Sequence, residues 1–383
     1  MRTPYHKYLD KLKNQRLSDE ACYIVTEDAV SVYGCEADAE LFRASELLKT
    51  PCLLFVKPSE PFMTALNEAA KGGEFAPNDS ETRTFLHTVP VIDELNAVEI
   101  ADALRRRKAV FVTGRGIVTS AAFGAEQAFI FASSVIFSGF VKYFADAGEA
   151  ALLKRPYDKP LTSSLIKQYI EKFPPQILPE LNKDISHTDK TVMNAMVQAA
   201  KVTVDMGLVD SFFGNISVFS NNNIYISRTG SSLDELEGEI DVCPMDESAC
   251  TGLTASSELA SHRRIYELTD SRVILHAHPR FSVIMSMLCA DECENRGRCH
   301  YACTKKRFIG DMPIVAGEVG NGPRAMVNTL PPAMKDSERV TVYGHGVFTV
   351  SADDFNKALR LLTEAEAKAL ELYKHLACQP NVD

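Results

Sequence analysis

The sequence of 383 residues predicts a mixed α/β fold, because runs typical of strands alternate with segments typical of helices. Short runs rich in β-branched and apolar residues indicate the strands, and longer segments with an apolar residue every three or four positions indicate the helices. In the second half, we expect helices over about 191–206 and 256–268 and from 281 onward, and strands over about 215–219, 224–227, 272–276 and 340–343.

A closing helix is predicted from Phe355 onward. Ser351 and Asp354 precede it in the Ser-x-x-Asp pattern of a capping box. Phe355, Leu359 and Leu362 then lie on one apolar stripe, as on a helix that packs against a core.

Two strings of the first half recur in the second half in the same order. The run 53–58 resembles 274–279, the run 112–119 resembles 342–349, and each is followed by similar apolar helical patterning. Two matches in order favour an internal duplication. The alignment pairs Phe55 with His276, Lys57 with His278 and Arg115 with His345.

The duplication divides the chain into two related domains. Residues 1–150 are expected to form a degenerate copy, and residues 183–383 a complete one. The segment 151–182 is rich in proline and is expected to be a linker that carries one short helix. Because phenylalanine has no ligand atom and lysine and arginine are cationic at neutral pH, the first copy should not bind a metal ion.

Three histidines of the second copy form a candidate metal site. His276 and His278 are two residues apart at the end of a predicted strand, so their side chains project from the same face. Glycines on both sides of His345 allow a tight turn that can bring a third imidazole to the same point. Three imidazoles leave the fourth position of a tetrahedral ion open, as in catalytic zinc sites. The alternative is that each histidine is separately hydrogen-bonded.

Composition excludes several classes of partner. A net charge of -10 and a pI near 5.5 argue against nucleic acid or an anionic membrane surface. No apolar segment typical of a secretory signal follows the N-terminus, so we expect a cytoplasmic protein whose ten cysteines are reduced thiols or metal ligands. The apolar stretch 121–144 is interrupted by Glu126, Gln127 and Lys142, which indicates core or subunit interface rather than a membrane span.

Five motifs of the second half stand in a fixed order. They are Gly-Asn-Ile-Ser at 214–217, Ser-Arg-Thr-Gly at 227–230, Ser-Ser-Glu at 256–258, His-Ala-His-Pro at 276–279 and Gly-His-Gly at 344–346. In these motifs the chain resembles the class II aldolase/adducin family and is fuculose-phosphate aldolase-like over roughly 190–375. The resemblance implies a central, mostly antiparallel sheet flanked by helices, present here in two related domains.

The resemblance also implies a role for each motif. His276, His278 and His345 would hold Zn²⁺ or another divalent metal, and Glu258 would transfer a proton with a pKa raised by burial. The implied substrate-binding residues, which would hold a sugar phosphate, are Gly214, Asn215, Thr229, Gly230, Ser256 and Ser257. From the residues alone, Glu258 is equally well explained by the helix dipole, and the small polar residues by ordinary turns and caps.

A second cluster departs from the family pattern. Cys289, Cys293, Cys299 and Cys303 lie within fifteen residues, among several basic side chains. This density fits a second zinc site or an iron–sulfur site, although the spacing matches neither a zinc ribbon nor a ferredoxin. The alternative is four free thiols on a basic loop.

The resemblance implies a metal-dependent lyase that makes or breaks a carbon–carbon bond in a small, phosphorylated, ketose-like substrate through a metal-stabilised enediolate. A sugar-phosphate 4-epimerase or a dehydratase would use the same metal site, and an adducin-like scaffold would keep the fold without chemistry. The intact histidines favour catalysis. One complete and one incomplete copy predict a homodimer with pseudo-fourfold symmetry, with the apolar helix buried between copies, and a tetramer is the alternative.

Overall fold

The computed structural model describes residues 3–26, 29–185, 188–210, 212–249, 253–291, 293–318, 320 and 322–378. Contacts divide the chain into two compact units, Met1–Pro174 and Pro175–Asp383, named unit 1 and unit 2 below. The division falls inside the segment expected to be a linker. The helix of that segment, α7 (Lys159–Lys172), contacts the long helix of unit 1 and belongs to that unit.

Unit 1 is a seven-stranded sheet with helices packed against it. Its described helices are α1 (Pro4–Asn14), α2 (Ala39–Leu48), α3 (Phe62–Ala69), α4 (Ser80–Leu86), α5 (Ala97–Arg106), α6 (Ala125–Leu152) and α7. Its described strands are β1 (Glu20–Thr26), β2 (Val30–Gly34), β3 (Cys52–Lys57), β4 (Glu74–Phe75), β5 (Val89–Ile92), β6 (Ala109–Val112) and β7 (Gly116–Ala121). The order is β2-β1-β3-β7-β6-β5-β4, and of these neighbours only β5 and β6 are parallel.

Helix α6 forms the centre of unit 1. By length and apolar composition it could cross a membrane, but 83% of its most apolar window is buried inside the chain. It packs against α1, α3, α4 and the strands β3 and β7. The helix therefore belongs to the core of unit 1. The expectation that it is buried between copies of the chain is wrong, because its apolar faces already have partners within unit 1.

Unit 2 repeats this architecture with eight strands. Its described helices are α8 (Asp189–Asp205), α9 (Leu259–Leu268), α10 (Arg280–Met287), α11 (Cys299–Ala302), α12 (Met326–Met334) and α13 (Phe355–Ala377), with a 3-10 helix at Leu233–Glu235. Its described strands are β8 (Asn215–Ser220), β9 (Asn223–Ser227), β10 (Ile240–Pro244), β11 (Val273–Ala277), β12 (Arg307–Ile309), β13 (Met312–Val315), β14 (Arg339–Val342) and β15 (Gly346–Ser351). The order is β10-β9-β8-β11-β15-β14-β13-β12.

The two sheets have the same topology. From β9 to β12, the strand order of unit 2 matches the order of unit 1 from β2 to β4, and each sheet has one parallel pair at the same place, β5–β6 or β13–β14. Strand β10 is the addition in unit 2. The chain thus contains two related α/β domains, each a mostly antiparallel sheet flanked by helices, as the sequence repeat predicted.

The register of the two sheets confirms the pairing of the histidine positions. Phe55 on β3 lies opposite Val118 on β7, and His276 on β11 lies opposite Phe348 on β15. A side-chain bond is also repeated, because the hydroxyls of Thr119 and Thr349 each donate to the backbone carbonyl nine residues further on. The alignment inferred from two short strings therefore holds in three dimensions.

Candidate metal centre

The strand pairing of unit 2 brings the three histidines together. His276 lies on β11, between β8 and β15, and His278 follows the end of that strand. His345 lies in the turn between β14 and β15. A Cβ added at Gly346 would lie 2.4 Å from the Ala277 carbonyl oxygen and 2.7 and 2.8 Å from the two other imidazoles. The turn approaches β11 this closely only because glycine occupies that position.

The three imidazoles present their Nε2 atoms to one point. His276 Nε2 lies 3.0 Å from His278 Nε2 and 3.2 Å from His345 Nε2. Ligand atoms about 2.0–2.1 Å from a tetrahedral zinc ion are separated by roughly 3.4 Å, so the spacing fits one ion. Among the described residues, these histidines are the one group of three or more His, Cys, Asp or Glu whose ligand atoms lie within 4.8 Å of one another.

The surroundings of His276 favour the form that binds a metal. Its Nδ1 lies 3.0 Å from the Val347 carbonyl oxygen. We assign the proton to Nδ1, which donates to that carbonyl and leaves the Nε2 lone pair for a ligand bond. The ring is 1% exposed, and burial lowers the pKa of His276 to about 3. At neutral pH this imidazole is therefore uncharged.

Glu258 lies beside the histidines, at the N-cap position of α9. Its Oε1 is 3.1 Å from His345 Nε2, and its Oε2 accepts a hydrogen bond from the Asn215 amide at 2.6 Å. Burial alone would raise the pKa of Glu258, but His276, His345 and the Asn215 amide favour the carboxylate and hold the pKa below its usual range. The expected burial is present, whereas the direction expected for the pKa is reversed by these neighbours.

Two of the predicted substrate residues contact Glu258, Asn215 through its side-chain amide and Ser256 through its hydroxyl. Gly214 has a positive φ of 76°, and a Cβ there would lie 2.4 Å from the His276 carbonyl oxygen, so the 214–215 segment runs directly beside the first ligand. The segments 227–229 and 254–256 are joined by backbone bonds from Thr229 N to Thr254 O and from Ser256 N to Ser227 O, both 3.0 Å. Three members of the set are exposed, namely Thr229, Gly230 and Ser257.

Unit 2 carries a family domain. Residues 194–373 match the family described as "Class II Aldolase and Adducin N-terminal domain". The order of the five motifs and the three-histidine group fall within that match. Most of unit 2 thus matches a class II aldolase/adducin domain.

Several solved structures resemble about half of the chain. L-fuculose-1-phosphate aldolase from Thermus thermophilus is 25% identical with a TM-score of 0.39, and the match covers 48% of this chain and 93% of that one. YgbL from Klebsiella pneumoniae is 19% identical with a TM-score of 0.42, covering 51% and 93%. A sugar-phosphate aldolase from Thermotoga maritima is 15% identical with a TM-score of 0.37, covering 50% and 98%. No curated protein matches the chain.

Aromatic residues that the sequence reading missed pack against the three histidines. Phe348 stacks on His276 with ring centroids 3.8 Å apart and planes 8° apart, and His345 lies parallel to His276, with centroids 5.0 Å apart and an angle of 2°. Phe213 stacks on His278 at 5.6 Å. Phe348 follows Val347, which follows the glycine turn. Because alternate residues of a strand project from the same face, the period of two along β15 was the signal in the sequence that could have found Phe348.

The cysteine cluster does not form a comparable group. Cys293 is exposed and Cys289, Cys299 and Cys303 are half-buried, all as free thiols. Cys293 Sγ accepts a backbone hydrogen bond from Asn295, and Cys299 Sγ lies 3.6 Å from the Asn295 carbonyl oxygen. The second zinc or iron–sulfur site gains no support from this geometry and stays a prediction.

Unit 1 has different chemistry at the equivalent place. A cavity of about 600 Å³ is lined there by Phe55, Lys57 and Arg115, with three carboxylates, Glu20, Glu36 and Asp38. Lys57 Nζ lies 2.7 Å from Glu20 Oε2. The Phe55 ring occupies the position of the first imidazole, close to Gly116 as the His276 ring is to Gly346. These residues offer no imidazole, and the absence of a metal site from unit 1 stays a prediction.

Removing one imidazole should remove the metal. We expect His278→Ala to lose most of the divalent metal that the purified wild-type chain retains after dialysis, because two imidazoles no longer enclose the ion. Elemental analysis by mass spectrometry measures the occupancy. His375→Ala, at an exposed histidine of α13, is the matched control and should keep the metal. Unchanged occupancy in His278→Ala would contradict the assignment.

The cysteine cluster has its own test. If it binds zinc or an iron–sulfur group, Cys293→Ser and Cys299→Ser should each remove about one metal site, or the visible absorption of a cluster, while the histidine site stays loaded. The same elemental analysis and an absorption spectrum measure both. Metal content equal to wild type in the two variants would assign these cysteines as free thiols.

Proposed function

We propose that the chain is a metal-dependent lyase of the class II aldolase type, which makes or breaks a carbon–carbon bond in a small, phosphorylated, ketose-like substrate. The observation that carries the proposal is the convergence of three Nε2 atoms within 4.8 Å, with the Glu258 carboxylate 3.1 Å from one of them. Thr229, Gly230 and Ser257, which would bind the phosphate of this substrate, are exposed.

The donor set fits a divalent ion. His276, His278 and His345 would hold Zn²⁺, although three imidazoles also accept manganese, iron or cobalt. The chemistry that such an ion supplies is polarisation of the carbonyl and neighbouring hydroxyl oxygens of the substrate, which stabilises the negative charge that develops as the bond breaks. The hydrogen bond from His276 Nδ1 to Val347 keeps that ring in one orientation.

Glu258 is assigned the proton transfer. The Asn215 amide occupies Oε2, so the carboxylate has one orientation and its Oε1 faces the histidines. An ionised Glu258 is ready to accept a proton from a substrate hydroxyl and to return it to the carbon left after cleavage. Its low pKa in the free chain keeps it in the basic form at neutral pH.

The polar segments around Glu258 would bind the phosphate. Backbone N–H groups and hydroxyls of 214–215, 229–230 and 256–257 are donors suited to an anion. Among these residues, the Ser256 hydroxyl also accepts a hydrogen bond from the Glu258 backbone N–H, at 3.3 Å. This bond connects the segment that would bind phosphate to the proton-transfer residue.

Three alternatives use the same fold. A 4-epimerase or a dehydratase would share the metal site and differ in the group that acts on the far side of the substrate. A scaffold without chemistry is disfavoured, because the fold alone gives no reason to hold three Nε2 atoms this close to one another. Unit 1, which has lost all three, shows that the fold does not require them. We place the protein in the cytoplasm.

Glu258→Gln separates binding from chemistry. We expect this variant to keep its metal but to lose turnover of ketose phosphates by about 10²- to 10⁴-fold, because the amide cannot accept the proton. A coupled assay for the aldehyde released from a panel of ketose phosphates measures the rate, with Glu267→Gln on the exposed side of α9 as the control. If no member of the panel is cleaved by the wild type, the lyase proposal fails, and the same panel then tests 4-epimerisation and dehydration.

Assembly follows from the duplication. A dimer would bring together four aldolase-like domains, two of them complete, and therefore hold two metals with pseudo-fourfold symmetry. We expect light scattering to give twice the chain mass of 42.3 kDa, with one histidine-bound metal per chain. A mass four times that of the chain would contradict the pseudo-fourfold dimer and favour a tetramer.

A further inference from the structure

A buried polar trio lies behind the metal centre, and the proposed chemistry does not use it. Ser217 Oγ is 2.7 Å from His262 Nδ1 and 2.7 Å from the Tyr266 hydroxyl. Ser217 and His262 are 0% exposed and Tyr266 is 6% exposed. Burying three polar side chains costs free energy unless they are hydrogen-bonded, and apolar residues of similar size would pack there at lower cost.

The bonding direction within the trio follows from burial. His262 Nε2 is buried and has no hydrogen-bond partner in the described part of the chain, so a proton on that atom would be an unsatisfied donor. We assign the proton to Nδ1, which donates to Ser217 Oγ, and the serine hydroxyl then donates to the Tyr266 oxygen. Burial lowers the pKa of His262 to about 4, so the ring is neutral at physiological pH.

The trio is connected to a metal ligand through one aromatic ring. His262 meets Phe348 edge to face, with centroids 6.0 Å apart and planes at 73°. The opposite neighbour of Phe348 is His276, stacked at 3.8 Å. Ser217 on β8 also lies opposite Ile274, and Ile274 is two residues before the ligand His276 on β11. A continuous contact therefore runs from the trio through Phe348 to His276.

Unit 1 provides an internal comparison. In unit 2, Ser217 lies opposite Ile274, and the corresponding pair in unit 1 is Ile24 opposite Leu53. Val118 of unit 1 stands at the position of Phe348. The buried face of α2 carries Leu41 and Ser45, four residues apart as His262 and Tyr266 are on α9. Ile24, Leu41 and Val118 belong to one apolar core cluster. The same fold thus forms without the trio, in the copy that has also lost the histidines.

We propose that His262, Ser217 and Tyr266 are positioning residues that fix the Phe348 ring and, through it, the plane of His276, so that Nε2 stays directed at the metal. This proposal rests on the metal site of the proposed function. It assigns the three residues no contact with substrate. Their effect should therefore appear in metal binding itself, before any turnover.

The test uses Co²⁺ alone as the probe on the full chain. Affinity is measured by competition with a chelator, and the ligand geometry by the visible absorption of bound Co²⁺. Ser217→Ala and the unit 1 mimic His262→Leu should each weaken Co²⁺ binding by about tenfold or more and shift the absorption bands, as is typical when a group that orients a metal ligand is lost. Tyr266→Phe should have a smaller effect of the same sign, since His262 keeps its bond to Ser217.

Thr349→Val is the matched control. Its hydroxyl is also fully buried and bonded, but the counterpart Thr119 keeps the same bond in unit 1, so the role is structural. Thermal unfolding of the metal-free chains measures the structural cost of every variant. Thr349→Val should lower stability yet keep Co²⁺ affinity within about twofold.

Two results would overturn the positioning role. One is Co²⁺ affinity within twofold of wild type in a folded Ser217→Ala chain, and the other is an equal loss of affinity in Thr349→Val. Because the readout is bound Co²⁺, a wild type that binds the ion but cleaves no ketose phosphate would refute the lyase and leave the comparison among variants intact.

Discussion

The convergence of three imidazoles is the constraint on which unit 2 depends. His276 Nε2 lies 3.0 and 3.2 Å from the Nε2 atoms of His278 and His345, an arrangement that a bound divalent cation would stabilise. Several local features follow from it. Glycine at 346 lets the turn of His345 touch β11, and the bond from His276 Nδ1 to a backbone carbonyl selects the tautomer that presents Nε2.

The duplicated chain shows which of these features serve the fold and which serve the site. The threonine bonds of β7 and β15 and the close glycine at the start of each of those strands occur in both units, so they belong to the fold. The imidazoles and the trio behind them occur in unit 2 alone. Unit 1 has apolar or cationic side chains in place of the imidazoles, and Ile24, Leu41 and Ser45 in place of the trio. Unit 1 keeps buried polar groups elsewhere, such as Asp79 bonded to Thr82, so what it lacks is the polar set around the metal centre.

Much of the site was predictable because its signals are local. The period of two along β11 placed His276 and His278 on one face, and the flanking glycines placed His345 in a turn. The helix around 256–268 was predicted too early. It begins at Leu259, since the bridge between Arg228 and Ala255 and the bond from Ser256 N to Ser227 O hold 255–256 outside the helix and leave Glu258 at the N-cap. That pairing joins distant segments, which local patterns do not report.

Other features were beyond local patterns for the same reason. Ser217 and His262 are 45 residues apart in sequence, and nothing in either neighbourhood indicates their bond. The short strands β10, β12 and β13 depend on pairing with their neighbours rather than on their own composition. Helix α7 was expected in a linker because prolines flank it, but its contacts with α6 place it in unit 1.

Anomalous X-ray scattering from crystals grown with zinc, collected at the zinc absorption edge, tests the central claim most directly. The account predicts one strong peak per chain at about 2.0–2.1 Å from the Nε2 atoms of His276, His278 and His345, and no peak at Arg115 in unit 1. A fully loaded crystal with no density between the three histidines would contradict it.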